Sequence, residues 1–318
     1  MKAIGGYFEL ELATGNPYHN KAVALNTGRN ALEYILMANR FSKLYIPYYT
    51  CHVLLQPFER LEITYEYYSI DEYFEPLFDY SVMKQGEAFL YTNYYGLKDA
   101  FIDELSKKIS NLIVDNAQAF FSKPKARYHA FYSARKFFGV PDGGYAYTHR
   151  HPAESFPTDQ SYKRFAHLLL RLEDGPESGY PAFVANDKLL DNNPVRSMSI
   201  LTRTLLASIP YEKHAFIRRN NYQYMYHALR EYNGIDLPLP NDTVPMVYPF
   251  LEKSAEVLRS KLIANRIYVA QYWPEVLDLC APVTIEYNYA ANLIPLPIDQ
   301  RLSTSDLNTI INTITNAH

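Results

Sequence analysis

A run of branched apolar residues meets a polar turn at Leu112-Ile113-Val114-Asp115-Asn116-Ala117-Gln118. An uninterrupted apolar run like that of 112–114 is typical of a strand covered on both faces, as in a parallel sheet. Ligands of open α/β sheets bind at the carboxyl ends of strands, so Asp115 stands where a carboxylate can pair with a cation and Gln118 can add a hydrogen bond. Taken alone, however, Asp115 is better explained as the cap of a following helix, because aspartate is a favoured cap.

Strand-like and helical runs alternate along the first half of the chain. Residues 27–36 predict a turn that enters a helix, whose apolar face consists of Ala31, Leu32, Ile35 and Leu36. Strands are predicted at 43–47, 61–67, 88–92, 112–114, 126–132 and 144–148. Because strands separated by helices form parallel sheets with right-handed crossovers, we predict an α/β fold with a mainly parallel sheet.

The second half of the chain shows a different order of predicted elements. A long polar helical region over 196–232 precedes strands at 243–250 and 267–271, with a helix over 251–264 between them. The final helix, over 303–315, begins with the capping residues Ser303-Thr304-Ser305-Asp306. A chain of 318 residues suits two domains of roughly 100–200 residues each. We place a large domain at 1–197 and a smaller α+β domain at 198–318.

Composition excludes several classes of protein. Hydrophobic residues make up 48% and charged residues 20% of the chain, values typical of a folded protein. A net charge of −3 without a basic run argues against nucleic acid as the main partner. No apolar stretch reaches the roughly 20 residues that cross a bilayer, and Glu9 and Glu11 lie where a signal peptide has its apolar core. We expect a soluble, cytoplasmic protein with no membrane partner.

Metal and disulfide chemistry are not expected either. The two cysteines, Cys51 and Cys280, cannot form a disulfide framework or a Cys-rich zinc site. The only close histidine pair, His149 and His151, lacks an evident third ligand. We therefore predict no metal site.

A lysine follows one predicted strand and precedes a glycine pair. Lys136 leaves the 126–132 strand, and Gly143-Gly144 follows it in a chain that has only 12 glycines. A lysine excluded from solvent becomes a nucleophilic amine that forms a Schiff base with a carbonyl, although most lysines simply lie on the surface. At the other predicted turn, the backbone N–H groups of Gly28 and Arg29 at a helix start would favour a phosphate.

The order of these three features resembles that of the fold-type I pyridoxal-phosphate enzymes, and within them the DegT/DnrJ/EryC1 sugar aminotransferase family. The resemblance covers most of the chain. The similar segments are 24–32 (helix start), 46–50 (Pro-x-x-Thr), 93–96 (aromatic-Gly loop), 115–118 (Asp-x-Ala-Gln), 136 with 142–144 (Lys and Gly-Gly), 195–198 (Arg segment), 248–250, 272–274 and 296–299.

The resemblance implies a three-layer domain that binds pyridoxal 5'-phosphate (PLP), plus a small C-terminal domain. Lys136 would hold the cofactor aldehyde as a Schiff base and shuttle protons. Asp115 would lie opposite the pyridine nitrogen and Gln118 beside the ring hydroxyl. Gly28 and Arg29 would bind the phosphate through their N–H groups, with the arginine charge as an addition.

The sequence departs from the family's pattern at other cofactor positions. Cys51, with His52 next to it, replaces the aromatic residue that stacks on the ring. Phe131 replaces the phosphate-binding serine, for which Ser133 is a candidate substitute. In the aromatic-Gly loop, Asn93 and Tyr95 are candidates for substrate contact.

As function, the resemblance implies an aminotransferase that moves an amino group, most simply from glutamate, to a keto-sugar carried on a nucleotide diphosphate. It also implies a homodimer, because a neighbouring subunit usually completes fold-type I sites. A second hypothesis is a sugar dehydratase that uses the amine form of the cofactor, but those relatives replace the lysine by histidine, against Lys136. A third is a non-catalytic binding protein, which the residues at Cys51, Phe131 and Arg29 keep open.

Overall fold

The computed structural model describes residues 4–317 of the chain as layers of helices around one large sheet. The strands are β1 (Val23–Leu25), β2 (Lys43–Pro47), β3 (Thr64–Ile70), β4 (Pro76–Leu77), β5 (Glu87–Thr92), β6 (Leu112–Asn116), β7 (His129–Ser133), β8 (Gly144–Tyr147), β9 (Val247–Leu251) and β10 (Leu293–Pro297). The α-helices are α1 (Gly28–Asn39), α2 (Leu55–Arg60), α3 (Asp99–Lys108), α4 (Ala166–Glu173), α5 (Pro176–Leu190), α6 (Ile200–Ala207), α7 (Tyr211–Leu229), α8 (Ala255–Ala264), α9 (Val276–Leu279), α10 (Ile285–Asn292) and α11 (Thr304–Thr315).

The large sheet has the strand order β1-β8-β7-β6-β5-β2-β3-β4. Its five central neighbours, β7, β6, β5, β2 and β3, pair in parallel, whereas β8 and β4 pair antiparallel to theirs. This confirms the predicted α/β fold with a mainly parallel sheet. Because parallel strands end at one edge, Thr92, Asp115 and Phe131 lie side by side in register there.

Several predicted elements need correction. The strand predicted at 61–67 runs later, over Thr64–Ile70, and the helical region 196–232 is two helices interrupted before Pro210. The strand predicted at 267–271 is wrong, because β9 pairs instead with β10. The prolines of β10 argued against a strand, but a two-stranded sheet has only edge strands, which tolerate residues without an N–H donor. The helix start at Ser303 is confirmed, with a reciprocal capping box to Asp306.

The two faces of the sheet carry different side chains. Leu44, Leu90 and Ile113 pack under α1 and α2, whereas their neighbours Tyr45 and Tyr91 point to the opposite face, as the period of two along a strand requires. Tyrosines and C-terminal residues share that second core: Tyr49, Tyr68, Tyr94, Tyr95, Tyr132, Tyr145, Tyr248, Trp273 and Tyr289. The tyrosines of this core thus join the sheet to the C-terminal part of the chain.

No helix among residues 4–317 combines the length and the apolar character that spanning a bilayer requires.

The glycine pair has a steric reason. A Cβ atom on Gly144 would lie 2.2 Å from the carbonyl oxygen of Thr27 and 2.6 Å from the nitrogen of Gly28. Gly143 has a φ of +119° and donates its N–H to the carbonyl of Asn26 at 2.5 Å. The start of α1 is therefore seated directly on the entry to β8, which only glycine permits.

We expect Gly144→Ala to destabilise the protein by about 3 kcal/mol or more, because the new methyl group meets backbone rather than a movable side chain. The matched control is Gly139→Ala, whose Cβ would meet only the Leu168 side chain at 3.5 Å. Chemical denaturation of both variants measures the difference. Equal denaturation midpoints for the two variants would contradict this expectation, because they would show that the 27–28 turn moves at no cost to accommodate the methyl group.

Candidate active site

Asp115 is the penultimate residue of β6 rather than the first residue after the strand. The side chain is 5% exposed, and its Oδ1 accepts a hydrogen bond from the Ala117 N–H at 2.8 Å. The residues that follow form turns before β7, so the helix that Asp115 would cap is absent from 117–128. Burial raises the pKa of Asp115 to about 6, and the positive charge of Lys136 opposes that rise.

Lys136 closes the 3₁₀ turn Ala134–Lys136, directly after β7. Its charge also lowers the pKa of the Cys51 thiol, which burial raises. The ammonium therefore lies near both Asp115 and Cys51, although among the described residues it forms no ion pair within 4.0 Å. Lys136 itself is exposed, so this one chain does not exclude it from solvent.

The start of α1 meets the end of β7 at the predicted phosphate position. A Cβ on Gly28 would lie 3.2 Å from the Tyr132 carbonyl oxygen and 3.3 Å from Cβ of Ser133. Thr27 caps the helix by accepting from the Asn30 N–H at 3.0 Å. Of the first N–H groups, which lack intrahelical partners, those of Gly28 and Arg29 remain for an anion beside the Ser133 side chain.

The arginine charge is engaged elsewhere. The Arg29 guanidinium donates to Asp191 at 2.9 Å, to the Leu190 carbonyl at 2.9 Å, and to Gln56. These contacts join α1 to the end of α5 and to α2. The terminal nitrogens of Arg29 are thus engaged by α2 and the end of α5 rather than by the predicted phosphate position, whereas Nε is buried without a partner among the described residues. The backbone N–H of Arg29 stays a candidate for the phosphate.

Gln118 is 1% exposed and carries an unsatisfied donor. Its Oε1 accepts the N–H of Tyr95 at 2.9 Å, which fixes the orientation of the amide, since a backbone N–H needs an acceptor. Among residues 4–317, Nε2 has no hydrogen-bond partner. Since a buried donor without a partner costs roughly 1–3 kcal/mol, this atom fits a ligand that accepts a hydrogen bond.

The side chains of Cys51 and His52 lie in different surroundings. Cys51 is partly buried, near Lys136 and Asp115. The His52 side chain is 53% exposed, and its Nδ1 lies 2.8 Å from Oε1 of Glu275. The structure thus places Cys51 with the predicted cofactor residues and turns the His52 ring toward the C-terminal part of the chain.

The polar side-chain groups of Asn93 and Tyr95 in the aromatic-Gly loop contact other residues of the protein. Both donors of the Asn93 amide are used, toward Asp99 at 2.7 Å and Asn116 at 2.9 Å. Tyr95 is fully buried at a φ of 56°, and its hydroxyl lies 3.1 Å from that of Tyr49. Both side chains are buried, so the structure does not support the predicted substrate contacts of Asn93 and Tyr95.

Sequence reasoning missed three polar residues at the site's edge. Arg218 lies in the predicted polar helical region 196–232 but is 2% exposed. Gln300 donates to the carbonyl of Phe137, the residue after Lys136, at 2.9 Å. The hydroxyl of Thr50, next to Cys51, is buried and unpaired among the described residues. Their roles depend on contacts distant in sequence; only the Pro-x-x-Thr segment gave a signal, for Thr50.

We expect Asp115→Asn to raise the melting temperature of the cofactor-free protein at about pH 7.5. A carboxyl whose folded pKa is raised from 3.8 to about 6 destabilises the fold once ionised, by about 3 kcal/mol at most. The gain should be complete above about pH 6 and vanish below about pH 4, as both states become protonated. Thermal melts across this range measure it.

The control for this prediction is Asp79→Asn. Hydrogen bonds from Ser81 lower the pKa of Asp79, so its loss should destabilise the protein at neutral pH. If Asp115→Asn also destabilises at neutral pH, the Asp115 carboxylate is not strained by burial.

Comparisons with known proteins agree with this geometry at the level of fold. No protein-family model and no curated protein matches the chain. An aminotransferase titled DegT DnrJ EryC1 StrS, from Brucella abortus, is 17% identical, with a TM-score of 0.62 over 93% of this chain and 86% of that one. The sugar aminotransferase CalS13 of Micromonospora echinospora is 14% identical, with a TM-score of 0.60 over 94% and 88%.

Spr1654 of Streptococcus pneumoniae is similar in two states. Its PLP form is 14% identical, with a TM-score of 0.62 over 96% of this chain and 92% of that one. Its PMP form is 14% identical, with a TM-score of 0.60 over the same shares. At these identities the likeness shows architecture: the chain has the fold of the DegT/DnrJ/EryC1/StrS-type sugar aminotransferases, as its motifs predict.

Proposed function

We propose that this protein is a PLP-dependent aminotransferase that acts on a keto-sugar. The observation that carries the proposal is the position of a buried carboxylate, Asp115 near the end of β6, beside strand β7, whose following turn ends in Lys136, without an ion pair between the two side chains. Buried charges in proteins are normally paired, yet among the described residues no cation lies within 4.0 Å of the Asp115 carboxylate. A gap between them suits a flat ring that is held at both ends.

The residues present fit the cofactor. Asp115 offers a carboxylate to a protonated ring nitrogen, which would offset the cost of its burial. The unpaired Nε2 of Gln118 suits the ring hydroxyl. Gly28 and Arg29 offer N–H groups at a helix start, with the Ser133 side chain beside them, for the phosphate.

When bound, the cofactor would supply an aldehyde and an electron-accepting ring. The chain's own residues do the rest. Lys136 would hold the aldehyde through its amine and, when free, would accept or donate a proton at Nζ. Asp115 would keep the ring nitrogen protonated, because an adjacent carboxylate favours the cationic form. Cys51 offers a small, partly buried side chain where relatives have an aromatic one.

Two kinds of support bear on the substrate. CalS13 is a sugar aminotransferase, and Spr1654 occurs in PLP and PMP forms, which are the two cofactor states of amino-group transfer. Glutamate as donor and a nucleotide-linked acceptor are what the family resemblance implies.

We also propose that a second copy of the chain covers the site. A Schiff-base lysine works best when solvent is excluded, yet Lys136 and His52 are exposed in the single chain. A symmetric dimer is the commonest way to cover such a face.

Lys136 should be the residue that captures PLP. Incubation with PLP should give visible absorbance, and borohydride should fix the cofactor on the peptide that contains Lys136, as located by mass spectrometry. Lys136→Arg keeps the charge but lacks a nucleophilic amine, so both signals should disappear. Lys123→Ala, at an exposed lysine, should leave them intact. Trapping spread over surface lysines would contradict the proposal.

Amino transfer separates the three functional hypotheses. The PLP-loaded protein should lose its visible absorbance on addition of glutamate and release 2-oxoglutarate, then recover it with a nucleotide-linked keto-sugar. Consumption of sugar with loss of water instead would indicate a dehydratase. A protein that binds PLP but converts no amino donor would be a non-catalytic member of the fold.

A further inference from the structure

Arg218 is a buried cation that binds carbonyl and amide groups. It lies on α7 and is 2% exposed. Asp299, whose charge acts on Arg218 through space, pairs directly with Arg301 at 2.7 Å. Burying a guanidinium costs several kcal/mol unless its donors are satisfied. The groups that satisfy the Arg218 donors therefore indicate its role.

One set of partners leads to the Lys136 turn. The Arg218 guanidinium stacks over the ring of Phe137, with 4.7 Å from Cζ to the ring centroid. Arg218 Nε donates to Oε1 of Gln300 at 2.8 Å, and Nε2 of Gln300 donates to the Phe137 carbonyl at 2.9 Å. Ring and carbonyl of the residue after Lys136 are therefore both held by this pair.

The other set leads to Gln118. Arg218 Nη1 donates to the Met246 carbonyl at 3.0 Å, and the Met246 N–H donates to the Tyr95 carbonyl at 2.9 Å. The Tyr95 N–H in turn donates to Oε1 of Gln118, which leaves Nε2 free for a ligand. A single side chain thus connects to both the lysine turn and the orphaned amide.

We propose that Arg218 is a positioning residue that fixes the Lys136 turn relative to the Gln118 amide, with Gln300 as its partner. It touches neither reacting group and acts through Phe137, Met246 and Tyr95. The planar guanidinium of arginine suits this role, because its N–H donors point in fixed directions toward several acceptors. Lysine would offer only one compact charge. The proposal rests on the proposed function for what is positioned, and on the contacts alone for how.

The test compares Arg218→Met with Arg219→Met. The control removes the neighbouring arginine of the same helix, which is less buried and donates to the Thr243 carbonyl. Hydrogen exchange followed by mass spectrometry, on full-length protein with and without PLP, reads the segments 134–140 and 93–97. We expect exchange at least about tenfold faster at both segments in Arg218→Met alone, and PLP binding weakened about tenfold.

Gln300→Leu provides a second route if Arg218→Met does not fold. It removes both amide contacts, toward Arg218 and Phe137, and should loosen segment 134–140 more than segment 93–97. Exchange and PLP affinity like those of Arg219→Met would overturn the positioning role, even if the melting temperature fell. Failure of the wild-type protein to bind PLP would instead refute the proposed function. The exchange rates of segments 134–140 and 93–97 would then still test whether Arg218 fixes the two segments.

Discussion

A carboxylate that stays buried without a contacting cation is the constraint on which this site depends. Asp115 is 5% exposed, and its pKa is raised to about 6 by burial, against the opposing charge of Lys136. Such a group weakens the fold that carries it. The sheet supplies the stability around it, because β6 lies between parallel neighbours and its residues 112–114 are fully buried.

The other parts of the site are placed by backbone contacts. Gly144 brings the start of β8 against Thr27, and Gly28 brings the start of α1 against Ser133. A Cβ on Gly144 would overlap the Thr27 backbone and one on Gly28 would be tightly packed, so these glycines let the helix start meet the sheet edge. The C-terminal part adds a second support through Arg218 and Gln300.

Sequence reasoning succeeded where local pattern decides structure. The run at 112–114 is typical of a covered strand, and the capping residues at Ser303 predict the start of the last helix; the structure confirms both. It also brought Asp115, Lys136 and Cys51 toward one place, through a motif order rather than through periodicity.

It failed where distant contacts decide. The resemblance implies that the Arg29 charge adds to the phosphate site, but its guanidinium donates to Asp191, some 160 residues later. A charged residue in a polar helix normally lies on the surface, and only the fold shows that Arg218 is buried against Phe137 and Gln300. The prolines of β10 concealed a strand whose partner is β9.

The central claim is that Asp115 and Lys136 grip opposite ends of one flat heterocycle. A crystal structure of the protein soaked with PLP tests it most directly. The account predicts continuous density from Nζ of Lys136 into the cofactor, with the ring nitrogen within hydrogen-bonding distance of the Asp115 carboxylate, about 2.8 Å. Density for PLP at any other place, or a side chain packed between the two groups, would contradict it.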